Sequence, residues 1–288
     1  MSAASPTLAS RPARPAARRI SARLLRSELR LIAGRRRNQA GMAVLGLVPV
    51  IIAIAVKLSA PRPGEGPDFT ADITSNGLFV PLAALTVEMV MFLPLSVAML
   101  AGDAIAGEAN QGTLRYLLTV PVDRTRLLVT KFISLIIGSF LGILAVAIPG
   151  AVIGLALFGG GPMTTLSGSQ LSMTAAVGRL LLVIAYLAAA LSALAAVGLF
   201  FSTLTEQPIA VTIAVMILNI LMWILQGIEQ VAWLHPFLLV DHIAAFGDLL
   251  RDPISWAGPL RGLITFAAYA AIAWLLAWAR FAGKDITS

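Results

Sequence analysis

The sequence predicts an all-α membrane protein with six transmembrane helices, preceded by one amphipathic helix. Three observations predict it. The 288 residues are 58% hydrophobic and only 12% charged, with a mean hydropathy of +0.89, whereas a soluble domain is about 45–50% apolar and about 25% charged. Six windows are each about as long and apolar as a bilayer crossing needs, about 20 residues. The basic residues are distributed to one side of those windows, as expected for orientation in a membrane.

Residues 1–19 are Ser, Ala, Pro and Arg with few large apolar groups, and they read as a disordered N-terminal tail. Residues 20–37 read as an amphipathic helix. Arg19, Arg23, Arg26 and Arg30 share one helical face, while Ile20, Leu24, Leu25, Leu29, Leu31 and Ile32 cover the other, with Glu28 among them. Such a helix lies along a membrane surface. A soluble helix packed on a partner has the same pattern, and the acid-free, Arg- and Ser-rich first 27 residues also fit an organellar transit peptide.

The six windows are Gln39–Leu58, Leu78–Gly102, Phe132–Phe158, Arg179–Thr203, Pro208–Gly227 and Gly262–Ala279, within a transmembrane domain of residues 38–285. The first starts too far into the chain for a cleaved signal sequence. Pro49, Pro94 and Pro149 fall inside windows and read as kinks, because neighbouring helices can satisfy the freed backbone groups. Gly138 and Gly142 form a GxxxG step, read as close helix packing. Ten arginines precede the first window, four basic residues lie in 103–131 and two follow the last window, leaving five of the 21 Lys and Arg elsewhere. Both termini are therefore expected in the cytoplasm.

The chemistry of soluble enzymes is missing. There is no cysteine, no G-x-x-x-x-G-K-[ST] phosphate loop, no Ser–His–Asp set and no paired intramembrane carboxylates. His235 and His242 lack a ligand spacing, so no metal site is expected. No catalytic residue is assigned, and the net charge of +7 is read as membrane orientation rather than nucleic-acid binding.

The polar stretch 103–131 stands out, because a bilayer core rejects it. Ala104 to Leu118 suit a helix, Pro121 ends it, and Asp123 can cap the next helix, placing Arg124, Arg126 and Lys131 near headgroups. Apolar Leu114, Leu117 and Leu118 flanked by Glu108, Gln111 and Arg115 suit a groove on another protein, or equally a helix resting on headgroups. Inside the windows Glu88 and Asn219 are the polar residues at greatest depth. A buried acid there must be protonated, paired or facing a wet cavity.

The string Ala106-Gly107-Glu108, Gly112-Thr113-Leu114, Leu117-Leu118, Pro121-Val122, Arg124, Leu127-Leu128 and Lys131 closely resembles the signature of permease subunits in the type-two ATP-binding cassette exporter family. Ser27-Glu28-Leu29 before Arg35–Arg37 looks like that family's connecting helix, and Arg280-Phe281 to Lys284-Asp285-Ile286 is similar to its usual ending. The resemblance implies that the chain pairs with a second half and with two copies of a separate ATPase; the usual symmetry of oligomers makes the second half an identical chain in expectation, and the Ala- and Arg-rich composition points to a bacterial inner membrane. That ATPase would bind ATP and Mg2+, and this chain would bind no cofactor. The resemblance also implies that residues 103–120 form a coupling helix and 229–259 an outer, partly re-entrant segment. ATPase docking then falls to Glu28, Asp103, Glu108, Gly112, Thr113, Leu114, Arg115 and Arg124, and the substrate path to Glu88 and Asn219. A non-transporting assembly or immunity protein of the same family, and an ion-coupled carrier or intramembrane enzyme, are the competing classes.

Overall fold

The computed structural model describes residues 22–59, 76–112, 124–165 and 167–283. The expected disordered tail, the later part of the coupling helix including Thr113, Leu114 and Arg115, and the Lys284-Asp285-Ile286 ending lie outside these residues.

The regular structure of the described residues is all helical, apart from one two-residue antiparallel pairing of β1 (Met163–Thr164) with β2 (Gln170–Leu171). Helix α1 (Ala22–Gly34) is followed by α2 (Arg36–Ser59). α1 stops at Gly34, three residues short of the expected boundary. The Asn38 and Gln39 side chains explain the stop, because they donate to the Ile32 and Ala33 carbonyls at 2.8 and 2.9 Å. Those carbonyls lie in the last turn of α1, where intrahelical partners run out.

The second window is two helices, α3 (Phe79–Glu88) and α4 (Phe92–Ala104), bent by 58° at the residues between them. Pro94 accounts for the break. Its ring lacks an N–H and clashes with the carbonyl four residues earlier, that of Val90. Asn219 fills the gap by donating its side-chain amide to the Val90 carbonyl at 3.1 Å. In hydrocarbon such a repair is needed, because no water can satisfy the carbonyl.

Helix α5 (Ala106–Asn110) follows after a break at Ile105, and α6 (Arg124–Phe158) is a 35-residue rod. α7 (Met173–Leu204), α8 (Pro208–Gln226) and α10 (Ala257–Gly283) complete the long helices. Between α8 and α10 come a 3-10 helix (Glu229–Phe237), α9 (Leu239–Ile243) and a second 3-10 helix (Ala244–Leu250). Five helices are long and apolar enough to cross a membrane, and the bent α3–α4 pair makes a sixth if it counts as one crossing.

α7 is the central helix. It packs against α4, α6 and α10 and is buried over most of its length. Small side chains permit this: Ala190, Ala193, Ala195 and Ala196 are fully covered, and Gly198 lies against the Ala101 methyl group of α4. The prolines of α2 and α6 are accommodated by glycines opposite them. A Cβ on Gly46 would lie 3.5 Å from Pro149, and one on Gly150 would lie 3.2 Å from Pro49. The outer faces carry a belt of exposed apolar side chains, among them Leu47, Ile51, Ile213, Ile217, Ile224, Ile264 and Ile272. Water would penalise that belt heavily, whereas lipid tails solvate it without cost.

Candidate functional site

The ends of the helices at Arg36, Ala104, Arg124 and Leu204 gather on one face, because successive long helices run antiparallel. Six charged side chains, from five helices and from Arg35 between α1 and α2, converge there. Lys131, two turns into α6, is 1% exposed and reaches Glu28 of α1 at 3.3 Å and Glu108 of α5 at 2.6 Å. Asp103 at the end of α4 accepts from Arg35 at 2.5 Å and from Arg37 at the start of α2. Burial pushes the Glu108 carboxyl above its usual value near 4.5, and the Lys131 ammonium pulls it part of the way back.

The amphipathic pattern of α1 places Glu28 on its apolar face, and that face packs on α6. An acid there is tolerable only with a buried partner, which Lys131 supplies. Lys131 was expected near the headgroups; its ammonium does not face outward but is enclosed by two carboxylates. Removing either charge type would leave the other uncompensated.

Ser202 of α7 completes the arrangement. Its hydroxyl is fully buried and accepts from the Ile105 and Ala106 backbone N–H groups at 3.1 and 2.9 Å. It therefore caps the start of α5, satisfying donors that the break at Ile105 frees. α5 is held from two sides, by Ser202 at its first residues and by Lys131 at Glu108. It ends at Asn110, and two residues on Gly112 has a left-handed φ of +68°, so that glycine is favoured there. Helix was expected to run on from Ala104 to Leu118, but the described part is broken at Ile105 and again after Asn110.

The structure thus brings Glu28, Asp103 and Glu108 together, with their carboxylates turned inward onto Lys131, Arg35 and Arg37. Asn110, Gln111 and Gly112 are exposed beyond them. Arg124 lies at the α6 start and donates to the Ala282 carbonyl of α10 at 3.0 Å, where a cation suits the helix C-terminus. Lys131, Arg35, Arg37 and Ser202 were not assigned to the site from sequence. For Lys131 a signal existed, since it is the last charge before the uncharged window Phe132–Phe158.

Glu88 and Asn219 sit at the α3–α4 break. Asn219 is committed to the Val90 carbonyl. Glu88 is fully buried, and neither carboxylate oxygen has a hydrogen-bond partner among the described residues. At the opposite face, the histidines are used on backbone: His235 donates to the Leu225 carbonyl at 3.1 Å and His242 to that of Pro236 at 3.0 Å. Among the described residues no three His, Cys, Asp or Glu side chains are grouped to hold a metal ion.

One pH effect follows from Glu108. A carboxyl with a raised pKa in the folded state keeps its proton where the unfolded chain has lost it. Its contribution to stability is complete below 4.5 and is lost as pH rises through the folded value. Thermal melts in detergent should therefore show wild-type stability declining above pH 4.5, with a flatter decline in Glu108→Gln.

An all-α membrane protein with a buried ionic knot at one face is the class that fold and site define. The chain belongs to a family of proteins of unknown function, DUF2705, whose pattern matches residues 67–287. No curated protein matches the chain.

Proposed function

We propose that this chain is the membrane-spanning subunit of an ATP-driven exporter of the type-two ATP-binding cassette class, working in a bacterial inner membrane. It moves an amphipathic or apolar compound outward, using ATP hydrolysed by a separate partner. The single observation that carries the reading is the fastening of α1, α5 and α6 through Lys131. An ATPase pushing on the segment after α4 must move the membrane helices with it, and a loosely attached segment would absorb the push. Here the segment's first turn is tied to the surface helix α1, to α6 and, through Ser202, to α7.

In this reading Glu28, Asp103 and Glu108 are positioning residues. They set the angle of the segment, and Asn110, Gln111, Gly112 and the residues after them meet the ATPase. Gly112 provides the bend. ATP binding favours one arrangement of the two halves because the partner binds ATP differently in each. A second copy of the chain supplies the other half, and both termini lie in the cytoplasm with α1 on the membrane surface.

Co-purification with a stand-alone ATPase tests the proposal, followed by reconstitution in liposomes. ATP hydrolysis stimulated by a transported compound supports export. A stable complex without stimulation by any compound supports the non-transporting relative, and no ATPase partner at all removes the proposal.

Glu88 is the candidate contact for a cationic compound, and Asn219 serves it indirectly by holding the break beside it. Glu88→Gln should reduce transport of cations and leave neutral compounds unchanged. Equal transport of every compound by the variant would remove Glu88 from the path.

A further inference from the structure

A wide groove runs down the side of α10, between it and the facing sides of α7 and α8. Its volume is about 620 Å³, and it is lined by Phe200, Phe201, Leu218, Ile264, Ile272 and Leu276 among other apolar groups. Its polar lining side chains are Thr265 and Tyr269, and the Tyr269 hydroxyl is already engaged, donating to the Phe237 carbonyl at 2.9 Å. The stretch from Ile264 to Leu276 rises about 18 Å along the helix axis, at about 1.5 Å per residue. One leaflet's hydrocarbon is about 15 Å deep, half of about 30 Å. The groove therefore has the length of a chain lying in one leaflet.

The upper end of the groove is marked by aromatic residues and by one cation. Trp233, Phe237 and Trp256 are exposed near the start of α10, as aromatic side chains are at a headgroup boundary. Four basic residues among those described lie at this face. Lys57 donates to the Leu157 carbonyl, Arg179 pairs with Asp252, and Arg251 pairs with Asp248. Arg261 is exposed and has no hydrogen-bond or ion-pair partner among the described residues. It lies one turn before Ile264 and Thr265 on the same stripe of α10, just beyond the residues that line the groove.

We propose that this groove holds the acyl chain of an anionic phospholipid whose headgroup is taken by Arg261. The apolar walls bind the chain, and the unpaired guanidinium distinguishes an anionic headgroup from a zwitterionic one. The inference is independent of the exporter reading.

The test titrates the delipidated full-length protein with phosphatidylglycerol or phosphatidylcholine of the same chains, read by native mass spectrometry. One phosphatidylglycerol per chain should bind more tightly than phosphatidylcholine. Arg261→Gln should weaken phosphatidylglycerol about fivefold, the weight of one cation near an anionic surface, and leave phosphatidylcholine unchanged. Arg261→Lys should keep the preference. Ala268→Phe, at an exposed position in the groove wall, should weaken both lipids. Unchanged headgroup preference in Arg261→Gln would overturn the proposal, as would unchanged binding in Ala268→Phe. So would efficient disulfide formation between two copies of Ile272→Cys in native membranes, which would put a second chain in the groove.

Discussion

Lys131→Met should destabilise the folded chain by about 3–5 kcal/mol, the cost of stripping one partner from a buried ionic group. The loss leaves Glu28 and Glu108 enclosed together without a cation between them. Replacing all three by apolar groups, in Lys131→Met with Glu28→Met and Glu108→Met, should recover much of the stability, because a buried ion cluster replaced by hydrophobic groups of similar volume is often near neutral. Unfolding in detergent, followed by circular dichroism, measures both variants. A single variant as stable as wild type would show that the knot is solvated and carries little energy. The triple variant also separates folding from function. It should fold yet couple poorly to the ATPase, because uncharged groups no longer fix the angle between α1, α5 and α6.

Gly154→Ala should cost about 3 kcal/mol or more, the upper range for overpacking. A Cβ at Gly154 would collide with the Gly77 carbonyl oxygen, and one at Gly77 would collide with the Gly154 carbonyl group. Both obstacles are backbone, so no side-chain rotation relieves them. The same place is pinned by the Gly77 N–H donating to the Gly159 carbonyl at 3.0 Å, so the chain before α3 cannot retreat from the end of α6. Gly178→Ala is the control. Nothing lies near its Cβ position, and the helix gains by about 1 kcal/mol from losing a glycine. Equal melting temperatures for Gly154→Ala and Gly178→Ala would refute the close contact.

The GxxxG step in α6 shows how far a short pattern carries. It marks close packing, and the structure has it: a Cβ at Gly138 would lie 2.9 Å from the Leu100 side chain, and one at Gly142 would lie 3.6 Å from that of Leu93. The neighbours are flexible leucine ends, however. The backbone-to-backbone approaches fall elsewhere, at Gly77 with Gly154 and at Gly102 with the Pro208 carbonyl. Those pairs are far apart in sequence, although Gly154 stands four residues after Gly150 and so belongs to a second GxxxG step of α6, one the sequence reading did not single out.

From the sequence alone, the apolar helices, the kink at Pro94 and the depth of Glu88 could be read, whereas Pro49 and Pro149, read as kinks in the same way, lie inside the continuous helices α2 and α6. Each depends on local chemistry: a long uncharged stretch partitions into lipid, and a proline lacks an N–H wherever it sits. Tertiary structure alone decided which groups answer those local demands. Lys131 could have reached headgroups, but α1 and α5 fold over it and enclose its charge. Asn219 could have faced a path, but the broken helix presents the Val90 carbonyl to it. Partner choice depends on distance in space, and residues 103 or 129 positions apart along the chain meet only once the helices have packed.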